Sequence, residues 1–468
     1  MKKYNDYYVT IGLEVHVALK TSTKLFSRSE NTFNTNLFSL FDCGTPGVLP
    51  VLADKPVEMA VAFAIACSAL PQKYSEFERK HYFYPDLPLG YQITQQNKPI
   101  MIGGLIPIEI NGEIKNIQIE HAHLECDAAK SIHSIYEDYT AIDIARAASP
   151  LLEIVSTPCM HSPEEAKEYA KTIHSLAMYL EITDGKMEEG SFRVDASISL
   201  NKEIGKLGTR VEIKNISSFN FLECALEYEI KRQSELLDDN LLIIMETRLF
   251  NEQELTTKSM RTKETVDEYR LMPDPDILPL MLSDEYIDKV SVDYKVTFFE
   301  NRKKLQLLLE KNDILSDLNT TDQYLLSDYN YLWEELLKED SISLKSLKLL
   351  AYWLPEITKD MVITRKLSVK EFKELSNSNL ESREIKETYS KWLNSDLSLI
   401  DCLPNFMSEE NILKIIMDVF IEYAEQIEKV KQGDTKILQF IIGKVMSQVK
   451  GKYPASLIKE KVTDLLKN

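Results

Sequence analysis

No glycine occurs between Gly208 and Gly433, and this gap divides the chain into two kinds of sequence. Glycine serves the tight turns between strands, whereas long glycine-free stretches rich in Leu, Lys and Glu suit helices. All seven histidines (His16, His81, His121, His123, His133, His161 and His174) precede residue 175. Together the two distributions predict a β-containing, chemically equipped first part and a helical remainder. A chain of 468 residues exceeds one ordinary core, so several domains are expected. The pattern places them at residues 1–292, 293–405 (helical) and 406–468 (a small helical tail), with "NSDLSLIDCLPN" as the last linker.

In the first part, alternating runs around residues 8–19, 105–110, 115–125, 192–200 and 209–215 predict strands. The stretch "SPEEAKEYAKTIHSLAMYL" predicts a helix with Ser162 as N-cap, Pro163 at its first position and Glu165 closing a capping box. A second helix is expected from about Asn220 to Leu237. From about 295 to 400 the pattern is amphipathic and helical, as in "LKSLKLLAYWLPEI".

Four of these strands place polar residues on one face and apolar residues on the other. "VTIGLEVHVAL" aligns Glu14 with His16 opposite Val9, Ile11, Leu13, Val15 and Val17. "IQIEHAHLECDAAK" aligns His121, His123, Glu125 and Asp127; "SFRVDASISL" aligns Arg193, Asp195, Ser197 and Ser199; "GTRVEIKN" aligns Arg210, Glu212 and Lys214. Such a face could be the solvated side of an antiparallel sheet, with charges pairing across strands. The recurrence of Glu with His, interspersed with Arg and Lys, fits a second reading better. Carboxylate and imidazole suit a divalent cation, while Arg and Lys suit phosphate oxygens, and phosphoryl transfer needs both. An aromatic loop, "FERKHYFYPDLPLGYQITQ", adds Lys80 and Tyr82, and "MEEGS" (187–191) places two carboxylates and a glycine before a strand.

Other classes are excluded by composition. No P-loop and no G-x-G-x-x-G follows a strand, so a nucleotide site would belong to a less common fold. The six cysteines are scattered singly, without a C-x-x-C pair. No apolar run approaches a membrane span, and the start lacks a signal-peptide core, so a mature cytoplasmic protein is expected. The net charge of −19 argues against nucleic acid as an average, but the end of the chain is locally basic. There Lys444, Lys450, Lys452, Lys459, Lys461 and Lys467 face only Glu460 and Asp464.

In order, "IGLEVHV", "RKHYFYPDLPLGYQITQ", "HLECDAAK", "SPLLEIVSTP", "SPEEA", "DGKMEEGSFRVDASIS", "GTRVEIKNISSFNF", "ETRLF" and "MRTKETVDEYRLMPDPDILPL" resemble the B subunits of the glutamyl-tRNA(Gln)/aspartyl-tRNA(Asn) amidotransferases. The resemblance runs to about residue 282 and continues more weakly into "GKVMSQVKGK". It implies an α+β fold: a cradle-like, mostly antiparallel sheet domain with helices, then an all-α domain and a small helical tail. It implies a kinase that uses ATP and Mg²⁺ to phosphorylate the side-chain carboxylate of a misacylated tRNA, working with a glutaminase A subunit and a small C subunit. Ammonia from the glutaminase then displaces the phosphate, giving Gln-tRNA(Gln) or Asn-tRNA(Asn). Carried over by position, Glu14, His16, Glu125 and Glu212 would be the catalytic, metal-holding residues. Lys80, Tyr82, Arg193, Asp195, Lys214 and Asn215 would contact ATP or substrate, and Lys444, Lys450 and Lys452 would contact tRNA.

The chain departs from the family at several places. Cys126 replaces a second acid after Glu125, though on a regular strand it would point to the apolar side. "DIARAA" (143–148) has Ala145 where an amide is usual and Ala148 where glycine is usual; Ala129 also replaces a glycine. Only Cys43 remains where many members carry a zinc knuckle, so zinc is not expected. These departures leave an alternative, a non-catalytic tRNA-binding or scaffolding relative with a degraded metal site. A metal-dependent hydrolase is a third reading, but it explains neither the motif order nor the basic tail.

Overall fold

The computed structural model describes the chain apart from residues 1–2, 5, 33–37, 134–137, 263–268, 315–316, 340–341, 360–364, 379, 381, 404–408, 432–434, 450–454 and 468. It divides into two compact units, one of Met1–Leu307 with Ser316–Leu326 and one of Leu308–Leu315 with Ser327–Asn468. Among the described residues no helix is long and apolar enough to cross a membrane.

The first unit is built on strands β1 (Tyr7–Ala18), β2 (Glu78–His81), β3 (Tyr91–Thr94), β4 (Leu105–Ile110), β5 (Glu113–Cys126), β6 (Pro150–Ser156), β7 (Phe192–Asn201), β8 (Val211–Ile216), β9 (Glu246–Asn251) and β10 (Thr256–Thr262). Its main helices are α1 (Asp54–Ala66), α2 (Pro163–Tyr179) and α3 (Phe219–Asp238). The large sheet runs β10, β9, β8, β7, β1, β6, β5, and β4 pairs with β5. Along this order only β8 and β9 are parallel, because α3 supplies the crossover that a parallel pair requires. The fold is therefore mixed, with a mostly antiparallel sheet followed by helices, as the sequence predicts. β2 and β3 form a separate small sheet with Met272–Pro273.

Period-two alternation on β1 buries Val9, Ile11, Leu13, Val15 and Val17 almost completely. Behind the sheet lie α2 and α3, packed on each other and on β1 and β7. The α2 residues Ala166, Tyr169, Ala170, Ile173, Leu176 and Ala177 are fully buried there. Each large apolar side chain so buried contributes about 1.5–3 kcal/mol, which fixes the back of the sheet and leaves its front for chemistry.

Two local expectations change in detail. Ser162 does cap α2, its Oγ accepting the Glu165 N–H at 3.2 Å. The reciprocal half of the capping box is absent: the Glu165 carboxylate accepts the His161 N–H and a Lys115 ammonium proton, both at 2.7 Å. A nearby lysine and a second free N–H outcompete the cap residue's own N–H. The glycine-free stretch also holds the β9–β10 hairpin. Its turn is made by Asn251 Oδ1, which accepts from Gln253 N (3.0 Å) and Glu254 N (3.2 Å), and by Leu255 at φ +51°.

The second unit is helical. "LKSLKLLAYWLPEI" is not one regular helix: Leu344–Lys348 and Leu354–Thr358 flank a π-turn at Leu349–Trp353. Pro355 cannot donate to the carbonyl four residues back, and the wider turn absorbs that mismatch. The expected linker contains the short helix Leu399–Cys402, capped by Ser398, with Leu399 and Cys402 buried. The helices Glu409–Glu422, Ala424–Lys431, Thr435–Val449 and Ala455–Lys467 share a core of Ile412, Ile416, Val419, Ile427, Ile441, Val445, Val449, Ile458 and Val462.

Candidate functional site

Strand register brings the polar face together in two rows. In one, Arg193 on β7 faces His16 on β1, which faces Glu153 on β6, which faces His123 on β5. In the other, Asp195 faces Glu14, which faces Val155, which faces His121. The rows floor a cavity of about 830 Å³. Of the residues expected at the site from sequence, Glu14, His16, Lys80, Tyr82, Glu125, Arg193, Asp195, Glu212, Lys214 and Asn215 all line it. Lys444 lies in the second unit, its Nζ 5.4 Å and 5.3 Å from the Tyr423 and Phe440 ring centroids. Lys450 and Lys452 lie outside the described residues.

The four expected metal ligands do not form a single group. His16 and Glu125 gather around Glu153: His16 Nε2 is 3.2 Å from Glu153 Oε2 and 3.7 Å from Glu125 Oε1. His123 Nε2 is 3.7 Å from both Glu153 Oε2 and Glu125 Oε2. Glu14 and Glu212 instead gather with Asp195. In each triad, His16/Glu125/Glu153 and Glu14/Asp195/Glu212, one ligand atom per residue lies within 4.8 Å of the others. Glu153 is a member that periodicity does not single out. Its strand, "PLLEIVS", is flanked by strands on both sides and apolar almost throughout, so it carries no alternation; the available signal is a lone carboxylate in an apolar run.

The two groups differ electrostatically. Burial works against the charge of Glu153, but the imidazoles of His123 and His16 outweigh it and hold the carboxyl well below its usual range. Burial likewise disfavours charged His16, yet the hydrogen bond and charge of Glu153, with Glu125, raise its pKa to about 9. This group is internally neutralised. Glu14 is the opposite case: burial and the negative charges of Glu153, Glu212 and Asp195 raise its pKa, and Lys214 only partly opposes them. Three carboxylates crowded on one ammonium are the environment a divalent cation would relieve. Burial and His123 lower His121 to about 4, leaving a neutral ring at the wall.

A bulge supplies the ammonium. The register passes from Ala196↔Ile213 to Val194↔Ile216, so β8 spends Lys214 and Asn215 against Asp195 alone. Asn215 takes φ +67° and its amide donates to the Phe250 carbonyl at 3.1 Å. Lys214 Nζ thereby reaches Asp195 Oδ2 at 2.5 Å and Glu212 Oε1 at 3.1 Å. Elsewhere in the lining, Lys80 Nζ stands 4.9 Å from the Tyr269 ring centroid, and the Tyr82 ring packs edge-on to Tyr84 and Tyr269.

The family departures have local accounts. β5 is bulged at Glu120, where Val155 pairs with His121 and Ser156 with Ile119, but runs regularly from His121 to Cys126, which is buried while Glu125 lines the cavity; burial pushes its thiol pKa well up. Ala148 occupies φ +62°, the left-handed backbone that glycine adopts without steric cost, and its N–H donates to the Asp127 carbonyl at 3.0 Å. Ala148→Gly is therefore expected to stabilise the fold by roughly 0.5–1 kcal/mol. A urea midpoint unchanged or lowered by that substitution would show that the position is unstrained.

Residues 9–288 match the family described as the GatB/GatE catalytic domain, and residues 333–466 match the GatB domain. The chain is 37% identical over 474 residues to the B subunit of the aspartyl/glutamyl-tRNA(Asn/Gln) amidotransferase of Legionella pneumophila (strain Lens), covering 96% of this chain and 97% of that protein. It is 39% identical over 474 residues to the protein of the same name from Vesicomyosocius okutanii subsp. Calyptogena okutanii (strain HA), with the same coverage. It is 38% identical over 471 residues to that of Coxiella burnetii (strain RSA 493 / Nine Mile phase I), again covering 96% and 97%.

Proposed function

The chain belongs to the family of B subunits of the aspartyl/glutamyl-tRNA(Asn/Gln) amidotransferases, and from that premise we propose that its cavity activates the side-chain carboxylate of a misacylated tRNA. A carboxylate oxygen attacks the γ-phosphorus of ATP, the bond to the ADP oxygen breaks, and an acyl phosphate forms. Ammonia then attacks the acyl carbon and inorganic phosphate departs, leaving the amide. The first step is needed because a carboxylate is a poor acyl donor, whereas its acyl phosphate carries a good leaving group.

The observation that carries this reading is the pair of acid triads on neighbouring rows of one floor, with Lys214, Arg193 and Lys80 around them. The donor set fits a divalent cation. Glu14, Asp195 and Glu212, three carboxylates crowded on one ammonium, would hold one, and His16, Glu125 and Glu153 would hold another once the cation displaces the proton of His16. Mg²⁺ bound there supplies positive charge that neutralises phosphate oxygens. Lys214, kept charged by Asp195 and Glu212 despite burial, and Arg193 offer the fixed cations that orient a phosphate chain. Lys80 and Tyr82, which line the same cavity, would meet the nucleotide or the aminoacyl end. In this reading the ammonia is produced from glutamine by the glutaminase partner, the small C subunit completes the complex, and the basic tail holds tRNA.

Reconstitution with the A and C subunits tests this reading. Expected is ATP- and glutamine-dependent conversion of Glu-tRNA(Gln) or Asp-tRNA(Asn) to the amide. No product with intact partners, together with no ATP hydrolysis stimulated by misacylated tRNA, would favour the non-catalytic relative instead.

A further inference from the structure

Two stretches, "DIARAA" and "MEEGS", have no place in the carboxylate triads, yet they meet at Arg146, which in turn holds Asp127. Arg146 ends the short turn Ile144–Arg146, which Asp143 caps by accepting the Ala145 N–H at 2.9 Å. Its Nε donates to Asp127 Oδ2 at 2.5 Å, and its Nη2 donates to the Gly190 carbonyl at 3.1 Å. A Cβ on Gly190, which sits at φ +75°, would stand 3.2 Å from both terminal nitrogens of Arg146. The loop can lie this close over the guanidinium because that residue is glycine.

The other oxygen of Asp127, Oδ1, accepts from Arg193 Nη2 at 3.1 Å and from the Ala128 N–H at 3.0 Å. Arg193 faces His16 in the register and lines the cavity; Arg146 stands outside the lining. Exposure is lowest at the shared carboxylate, with side chains 18% exposed for Arg146, 6% for Asp127 and 38% for Arg193. One guanidinium thus fixes a buried carboxylate from behind, and that carboxylate aims a second guanidinium at the cavity.

We propose that Arg146 is a positioning residue for the phosphorylation step, setting through Asp127 and the Gly190 loop the direction in which Arg193 presents its guanidinium beside His16. The proposal rests on the kinase reading above. Its geometric content is that a fork, not merely a charge, is needed at residue 146, since Nε and Nη2 hold two different partners.

The test is a double-mutant cycle in the reconstituted complex, using Arg146→Lys, Arg193→Lys and the double variant. Arg146→Lys keeps the charge and loses the fork. It is expected to lower the rate of ATP-dependent phosphorylation about 10- to 100-fold, the loss that a displacement near 1 Å in a reacting site can cause. Affinity for tRNA and the thermal midpoint should stay close to wild type. The double variant should be no slower than Arg193→Lys alone, because both changes remove the same aim. Losses that multiply would overturn the proposal, as would wild-type phosphorylation by Arg146→Lys or by Arg193→Lys. Should Arg146→Lys not fold, Asp127→Asn takes its place in the same cycle with the same two outcomes. A wild-type complex that turns over ATP while the cycle is multiplicative separates failure of this proposal from failure of the kinase reading.

Discussion

Glu153→Gln is expected to lower ATP-dependent phosphorylation by about 10²–10³-fold while leaving tRNA affinity within about twofold, as removal of a preorganised charged group from a reacting site does. Glu153 is the carboxylate shared by His16 and His123, and its triad with His16 and Glu125 is the one already neutralised from within. Glu14→Gln should abolish phosphorylation too, and the two variants separate in stability. A carboxyl whose pKa is lowered by folding, as for Glu153, contributes stability present above its unfolded pKa and lost as pH falls through the folded one. Glu153→Gln removes that contribution, so the thermal midpoint at neutral pH should fall. Glu14 is raised on folding, so at neutral pH its ionised form opposes the fold, and Glu14→Gln should raise the metal-free midpoint. Paired measurements of midpoint and of misacylated-tRNA-stimulated ATP hydrolysis decide the matter. Wild-type hydrolysis by Glu153→Gln would remove its triad from the mechanism, and midpoints moving the same way in both variants would refute the electrostatic difference.

Deleting the chain from residue 407 should weaken tRNA binding most at low salt. Residues 407–468 carry ten lysines and nine acids, but Lys444, Lys450, Lys452, Lys459, Lys461 and Lys467 gather in residues 443–468 with only Glu460 and Asp464, within a chain of net charge −19. If about three phosphates are neutralised there, their share of the affinity changes roughly 10- to 100-fold between about 50 and 200 mM salt. Binding isotherms at several salt concentrations should therefore converge for the deleted and full-length chains as salt rises. Equal affinity at low salt would mean that tRNA is held elsewhere. The tail helices share an apolar core among themselves, so charge at the surface can be removed by Lys→Gln changes without unpacking them.

How much of the site is legible in the sequence depends on the strand. Alternation exposes Glu14 and His16 because β1 has an apolar back and a polar front. The same rule aligns Arg193 with Asp195 and sets Glu125 on the face opposite Cys126, and Arg193, Asp195 and Glu125 meet Glu14 and His16 in one cavity as that periodicity implies. Glu153 escapes because β6 has sheet neighbours on both sides and Leu151 and Val155 beside Glu153 on the front, which erases the period. The bulge at Lys214 and Asn215 escapes because it is a property of a strand pair, visible only when β7 and β8 are set side by side.

The sequence by itself determined the strands β1, β4, β5, β7 and β8, the polar faces of β1, β5, β7 and β8, the α2 and α3 helices, the family and the basic tail. These follow from local periodicity, capping residues and composition, which act within one segment at a time. Only the tertiary structure decided that four expected ligands divide between two triads, that Glu153 and Asp195 complete them, and that Arg146 stands behind Arg193. Those relations are set by register between strands far apart in the chain and by the energy of packing charges together, and no single segment encodes either.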